Sequence, residues 1–304
     1  MMRKLLVLTL ATLATILSTS VIAKAQTDAT AEAPATAAPS KTGYAAVNGL
    51  EMYYEIYGTG DPIVLLHGGL GGIVEFQQVI PLLSQTRQVI AVELQAHGHT
   101  ADIDRPLKFE FMADDVAALI KSLGFEKADV LGYSLGGGVA LQTAIRHPEV
   151  IRKLVLVSTA FKSAGVRPEF AAGMSGMNAD AASQMLQTPM YAFYSSVAPK
   201  LDDWSKLVGK SGALLSETYD WSKDVANIKI PTLVIAGDSD YVTTGHAVEL
   251  FKLLGGDVAG DFVGLPVSQL AMLPATSHFT ILTRTDLLLP IITPFLDAAP
   301  KAAQ

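Results

Sequence analysis

The sequence predicts an α/β fold with a mostly parallel central sheet flanked by helices, and a helical insertion late in the chain. Three observations carry this. Short, continuous apolar runs recur along the chain, as strands buried on both faces require. Segments with a helical period separate them. A Gly-x-Ser-x-Gly turn, Gly132-Tyr133-Ser134-Leu135-Gly136, falls where one such run gives way to a helix.

Ala45–Val47 and Met52–Ile56 read as a hairpin around Asn48-Gly49, a pair that accepts the positive φ angles of a two-residue turn. Ile63–Leu66, Val89–Val92, Asp129–Leu131, Leu154–Val157 and Leu233–Ala236 are the apolar runs, and Leu270–Leu273 reads as the last strand. Between them, Phe111, Met112, Val116, Leu119, Ile120 and Leu123 outline one helical face, closed by Gly124. Leu135–Arg146 is a second helix, ended by His147-Pro148. Strand and helix in alternation argue for parallel pairing with both faces covered. From about Phe161 to Asn227 the alternation stops, and Met and aromatic residues gather. This stretch is expected to be a helical cap over the C-terminal edge of the sheet. Most of its large side chains are expected simply to pack, and a few to line an adaptable apolar pocket. The expected plan is a core of residues 43–160 and 228–299 with a cap of 161–227.

Composition narrows the function. Half of the 304 residues are hydrophobic and 17% are charged, enough apolar mass for a large core. The net charge of -7 disfavours nucleic acid and anionic membrane surfaces as partners. The chain has no cysteine, which excludes disulfides, thiolate nucleophiles and cysteine-bound metals. Met1-Met2-Arg3-Lys4, an apolar stretch to about Ala23, and Ala23-Lys24-Ala25 have the form of a cleavable signal peptide over residues 1–25. A flexible Ala/Thr/Pro/Ser leader over 26–42 would follow. The expected destination is the periplasm or the outside of the cell, with no stable membrane insertion after cleavage.

The chemistry centres on Ser134. A nucleophilic serine needs a sharp turn that exposes its Oγ, and glycines on both sides remove Cβ atoms that would clash there. The turn also presents the Leu135 N–H at a helix N-terminus, where the dipole favours a developing oxyanion. A second oxyanion donor is expected from His67-Gly68-Gly69-Leu70, directly after a buried run: Gly69 first, Leu70 next. Of the six histidines, His278 lies just past the last strand, where sites form in parallel sheets, and is the candidate base. The acid should fall between Ser and His. Asp238 and Asp240 compete in the turn after Leu233–Ala236; Asp238 suits a turn-former, and Asp240 has the reach to an imidazole. His97 and His99 have no supporting carboxylates that would argue for a metal. No metal or organic cofactor is expected.

Taken together, His67-Gly68-Gly69, His97-Gly98-His99, Gly132 to Gly137, the Gly237 to Asp240 turn and Ser277-His278 resemble the α/β-hydrolase superfamily in its cap-bearing branch of esterases, lipases, perhydrolases and C–C bond hydrolases. The resemblance runs from about Tyr44 to Leu296. It places the acid three residues after the glycine of the post-strand turn, at Asp240. Dehalogenases and epoxide hydrolases of this fold carry Asp as nucleophile, and Ser134 argues against both. The sequence departs from the pattern at Gln95-Ala96, at Ser277, and in the long Gly255–Gln269 link. The expected function is hydrolysis of a small, hydrophobic carboxylic ester through an acyl-enzyme. C–C hydrolysis, lactonase, amidase or perhydrolase chemistry, and a non-catalytic binding role, are the alternatives.

Overall fold

The computed structural model describes residues 38–299. The expected signal peptide and most of the expected leader lie outside the described residues. Strand pairing begins earlier than the sequence pattern suggests: β1 is Lys41–Val47 and β2 is Leu50–Tyr57. They form an antiparallel hairpin in which Val47 pairs with Leu50. Asn48 and Gly49 have φ angles of 49° and 82°, the left-handed pair that matches the twist of the flanking strands.

Six further strands complete one sheet: β3 (Asp61–Leu66), β4 (Arg87–Val92), β5 (Ala128–Tyr133), β6 (Ile151–Val157), β7 (Thr232–Ser239) and β8 (Gln269–Ser277). The order is β1-β2-β4-β3-β5-β6-β7-β8, antiparallel up to the β2–β4 pair and parallel from β4 onwards. The helices of eight or more residues are α1 (Phe109–Ser122), α2 (Leu135–Arg146), α3 (Pro168–Ser175), α4 (Pro189–Val197), α5 (Trp204–Leu215), α6 (Thr244–Leu253) and α7 (Thr285–Asp297).

The apolar runs feed two cores, one on each face. Val64, Leu66, Val130, Leu154, Leu156 and Val234 point to the face covered by α1, α2 and α6. Ile63, Leu65, Leu131, Val155, Val157, Leu233 and Ile235 point to the face covered by α7. The period of two along each strand thus divides one continuous run between two layers. Each such side chain contributes about 1.5–3 kcal/mol on full burial.

Two details differ from the sequence pattern. Helix α1 begins at Phe109, and Phe109, Met112, Val116, Leu119 and Ile120 form its buried face. Phe111 is 40% exposed and has the Arg105 guanidinium over its ring at 5.6 Å. Asp115, a polar residue on the buried face, accepts a hydrogen bond from Asn48 Nδ2 at 3.0 Å and pairs with Arg105. A hydrophobic pattern does not register such a position. The second difference is at His147. It is the C-cap of α2, donating its N–H to the Thr143 carbonyl, and its ring also contacts Asp114 at 2.7 Å, a brace of α1 against α2 that the pattern does not show.

Between β6 and β7 the chain is helical. The isolated Lys162–Asp220 bridge joins the two ends of this insertion. Inside it, Trp204 packs against Tyr191 and Tyr194 and donates Nε1–H to the Ala182 carbonyl. No helix among the described residues is long and apolar enough to cross a membrane.

Met112→Ala is expected to lower the unfolding free energy by about 2–5 kcal/mol, because it leaves a cavity in a closed core. Phe111→Ala should change it by less than about 1 kcal/mol. Urea denaturation of the two variants checks this assignment of the helix faces.

Candidate active site

Helix α2 starts where β5 ends, and Ser134 is the hinge. Its φ of 55° and ψ of -118° fall where a residue with a Cβ is strained. Close packing holds the strain. A Cβ on Gly132 would sit 2.2 Å from the Gly136 carbonyl oxygen, and one on Gly136 would sit 2.2 Å from that of Leu66. The Ser134 N–H is tied to the Val157 carbonyl of β6 at 3.0 Å. The turn therefore lies against the ends of β3 and β6 at once.

His278 follows directly after β8. Its Nδ1 is 3.0 Å from Asp240 Oδ1, and the residue is 8% exposed. Tyr133, next to the serine, donates its hydroxyl to the His278 carbonyl at 3.0 Å and lies nearly parallel to the imidazole. Tyr241 packs edge-on against the same ring at 4.3 Å. The imidazole is thus fixed by a carboxylate on one edge and aromatic rings around it.

Asp240 is almost fully buried. Burial alone would raise its pKa. Hydrogen bonds from His278 and Ser158, the nearby imidazole charge and the Gly237 N–H outweigh burial and hold the carboxyl below the usual range. Oδ1 also accepts the Tyr241 N–H at 2.7 Å, and Oδ2 accepts the Gly237 N–H at 3.1 Å and the Ser158 hydroxyl. Asp238 has a different partner. It accepts the Ala275 and Thr276 N–H groups at 2.8 and 3.2 Å, which ties the end of β7 to β8. Of the two aspartates, Asp240 is the one that meets the imidazole.

The other five of the six histidines are occupied elsewhere. His67 and His97 brace each other's loops: His67 Nε2 accepts the Leu94 N–H and His97 Nε2 accepts the Leu70 N–H, both at 3.1 Å. Each Nδ1 faces a backbone carbonyl, that of Gly68 or Gln95. This arrangement needs neutral rings. Burial pushes the pKa of His67 to about 3, helped by His97, and that of His97 to about 4. His99 bonds Glu93, which raises its pKa. His147 bonds Asp114, and His246 accepts the Phe161 N–H. Among the described residues no group of three or more His, Asp or Glu side chains is placed to hold a metal ion.

The histidine brace also distinguishes Leu70 from Gly69. Because the Leu70 N–H is engaged by His97, Leu70 is not available to an oxyanion. Gly68 N–H is likewise engaged, by Glu75 Oε2 at 2.6 Å. The N–H groups of Gly69 and Leu135 have no acceptor among the described residues. Gly69, Ser134, Leu135 and His278 all line one cavity of about 520 Å³. No hydrogen bond joins Ser134 to His278 directly, as is common before substrate tightens a site. The insertion supplies most of the remaining wall, including Phe170, Met174, Met177, Met185 and Met190.

Three residues with roles here do not stand out in the sequence. Ser158 comes immediately after β6, with a φ of 52°, and that strand-end position is its only signal. Tyr133 occupies a variable place in the serine motif. Glu75 lies in the turn after the glycine loop, and burial raises its pKa to about 7 against the opposing Gly68 hydrogen bond.

An eight-stranded α/β sheet, with a strained serine between strand and helix and an Asp–His pair at neighbouring strand ends, defines a hydrolase scaffold. Comparison with known proteins agrees. A family model described as the alpha/beta hydrolase fold matches residues 61–179. The AB hydrolase superfamily protein YisY of Bacillus subtilis (strain 168) is 30% identical over 214 residues, covering 63% of this chain and 78% of that one. The 2-hydroxymuconate semialdehyde hydrolase of Pseudomonas sp. (strain CF600) is 36% identical over 110 residues, which cover 34% of this chain and 38% of that one. Among solved structures, the enol-lactonase from Burkholderia xenovorans LB400 superposes with a TM-score of 0.65 at 25% identity, covering 84% of this chain and all of the other. The chain belongs to the α/β-hydrolase superfamily.

The neutral histidine brace sets a pH dependence. Unfolded histidines take up protons below about pH 6.5, while His97 and His67 in the fold do so only near pH 4 and 3. The unfolded state then binds more protons, so stability is complete above about pH 6.5 and falls as the pH drops towards 4. Denaturation between pH 7 and 4.5 should show this loss, and His97→Gln, which keeps an acceptor for Leu70, should flatten the profile.

Proposed function

We propose that this protein hydrolyses carboxylic esters with Ser134 as nucleophile, His278 as general base and acid, and Asp240 as the residue that orients the imidazole. The observation that carries the reading is the Asp240–His278 hydrogen bond of 3.0 Å beside a cavity that Ser134 and His278 share. With Nδ1–H held by Asp240, Nε2 is the free, basic nitrogen.

In the first step His278 Nε2 takes the Ser134 proton as Oγ bonds to the ester carbonyl carbon. The carbonyl oxygen becomes an oxyanion, held by the N–H groups of Gly69 and Leu135. The C–O bond to the alcohol then breaks, and the proton on His278 goes to the leaving oxygen. In the second step water, deprotonated by His278, attacks the acyl-enzyme. Ser134 regains its proton and the carboxylic acid leaves. Asp240 stays ionised throughout and stabilises the imidazolium. Its low pKa suits that role. The helical insertion acts as a cap that supplies the substrate pocket. An export signal over residues 1–25 would send the enzyme to the periplasm or the outside of the cell.

Wild type is expected to hydrolyse part of a p-nitrophenyl ester series from acetate to palmitate. Ser134→Ala should lose at least about a thousandfold in kcat. Ser158→Ala should leave KM nearly unchanged and lower kcat less than Asp240→Asn, because Ser158 only positions the carboxylate. Equal inertness of wild type and Ser134→Ala across the series would overturn the ester reading. Activity that survives Ser134→Ala would overturn the nucleophile.

A further inference from the structure

Resting on the ester reading above, we infer that the substrate is uncharged and apolar where it fills the cavity, and that the site rejects carboxylate-bearing analogues of the same size. The wall formed by the insertion presents Met174, Met177, Met185 and Met190 to the space above Ser134. No lysine or arginine lines this cavity among the described residues, and His278 is the only basic side chain on its wall. Its Nδ1 is committed to Asp240.

The charges that do line the space have the wrong sign for an anion. Glu169 and Glu217 are both exposed on the cavity wall. The cations next to lining residues are engaged elsewhere: Lys108 pairs with Glu217, Lys162 with Glu249, and Arg167 donates Nε–H to the Asp240 carbonyl. Neutral hydroxyls of Ser216, Thr218 and Tyr219 also reach the wall, but they carry no charge to balance an anion. Ser163 and Ser175 donate their hydroxyls to the carbonyls of Tyr219 and Ala172. A carboxylate pushed into this space would lose its hydration shell and find no compensating charge, whereas an alkyl or aryl group would lose nothing. Thioether side chains also adjust to apolar groups of differing shape. The cavity volume of about 520 Å³ lies in the range of small-molecule sites.

The test uses matched pairs of esters on the intact protein. One pair carries the charge on the acyl side: p-nitrophenyl hexanoate against the p-nitrophenyl monoester of adipic acid. The other carries it on the leaving group: methyl 4-(hexanoyloxy)benzoate against the free 4-(hexanoyloxy)benzoate. At least one carboxylate should cost about a hundredfold or more in kcat/KM, and the pair that shows it identifies which half of the ester enters the cavity. Met174→Arg should recover at least tenfold of that ratio, and Glu169→Lys should move it in the same direction by less.

A second measurement does not depend on turnover. Displacement of the neutral dye 1-aminoanthracene from the Ser134→Ala protein should need at least tenfold less methyl octanoate than monomethyl suberate. Equal displacement by the two, or both charged esters cleaved within tenfold of their neutral partners, overturns the inference. If no ester is cleaved but the neutral ligand still displaces the dye selectively, the ester reading fails and the charge selectivity of the cavity stands.

Discussion

The close packing around the Ser134 turn constrains everything else in the site. Ser134 keeps a strained backbone because α2 cannot move away from the strands beneath it. Gly136 lies against the Leu66 carbonyl, and Gly132 against Gly136. No side chain larger than hydrogen fits at either position, so the N-terminus of α2 sits directly on the end of β3. That contact also sets where the two proposed oxyanion donors lie. The Leu135 N–H belongs to the strained turn and the Gly69 N–H to the loop after β3. Their separation is set where the Gly136 backbone meets the Leu66 and His67 carbonyls, and the Leu135 side chain packs beside Gly69. Strain of this kind costs of order 1–3 kcal/mol, and the two apolar cores on either side of the sheet are large enough to hold it.

The polar half of the site is held just as tightly. Each flanking donor in the Gly68–Leu70 loop has one assigned partner: Gly68 bonds Glu75 and Leu70 bonds His97. Gly69 is left free because both of its neighbours are held. The reciprocal bond from the Leu94 N–H to His67 joins this loop to the one after β4 at a second point. Towards the other edge of the sheet Asp238 ties the end of β7 to β8 and Asp240 fixes the imidazole. Two aspartates two residues apart therefore divide the positioning of the base between them. Asp238 holds the backbone from which His278 springs, and Asp240 holds its ring.

The parts of this arrangement that are legible in the sequence are those governed by local rules. Apolar runs, the positive-φ pair Asn48-Gly49 and the glycines around Ser134 are local, and each lies where the pattern places it. Phe111 falls on the wrong face in the pattern because Phe109, equally apolar and one turn before Met112, takes the buried place at the start of α1. Ser158, Tyr133 and Glu75 are illegible for a different reason. Each acts on a partner set by the fold: Asp240, His278 and Gly68. Serine and tyrosine at such places look like any strand-end residue until the sheet order brings β5 to β8 together, and Glu75 looks like any turn residue until the segment after β3 folds back on Gly68. The fate of Leu70 is equally hidden, because nothing near it shows that its N–H is claimed by a histidine 27 positions on.

The division of labour between sheet and insertion explains why the chemistry is more legible than the substrate. Chemistry demands fixed distances, and those come from strand ends and glycine packing, which have recognisable patterns. Substrate choice needs only a wall of suitable size and polarity. In this protein that wall comes from methionines on short helices and turns, at positions with no required spacing. A methionine on such a helix reads the same in sequence whether it packs inward or faces the cavity. What distinguishes the wall is collective: four thioethers converge on one space, with carboxylates and no lysine or arginine on its described lining. A chain can change any one of these residues without disturbing Ser134, Asp240 or His278, since none of them contributes a hydrogen bond to the three. The cavity lining in this fold can therefore drift while the geometry of Ser134, Asp240 and His278 stays fixed. Relatives on this scaffold carry names for different hydrolytic reactions, so the lining of the cavity is a better guide to this protein's substrate than the names of its relatives.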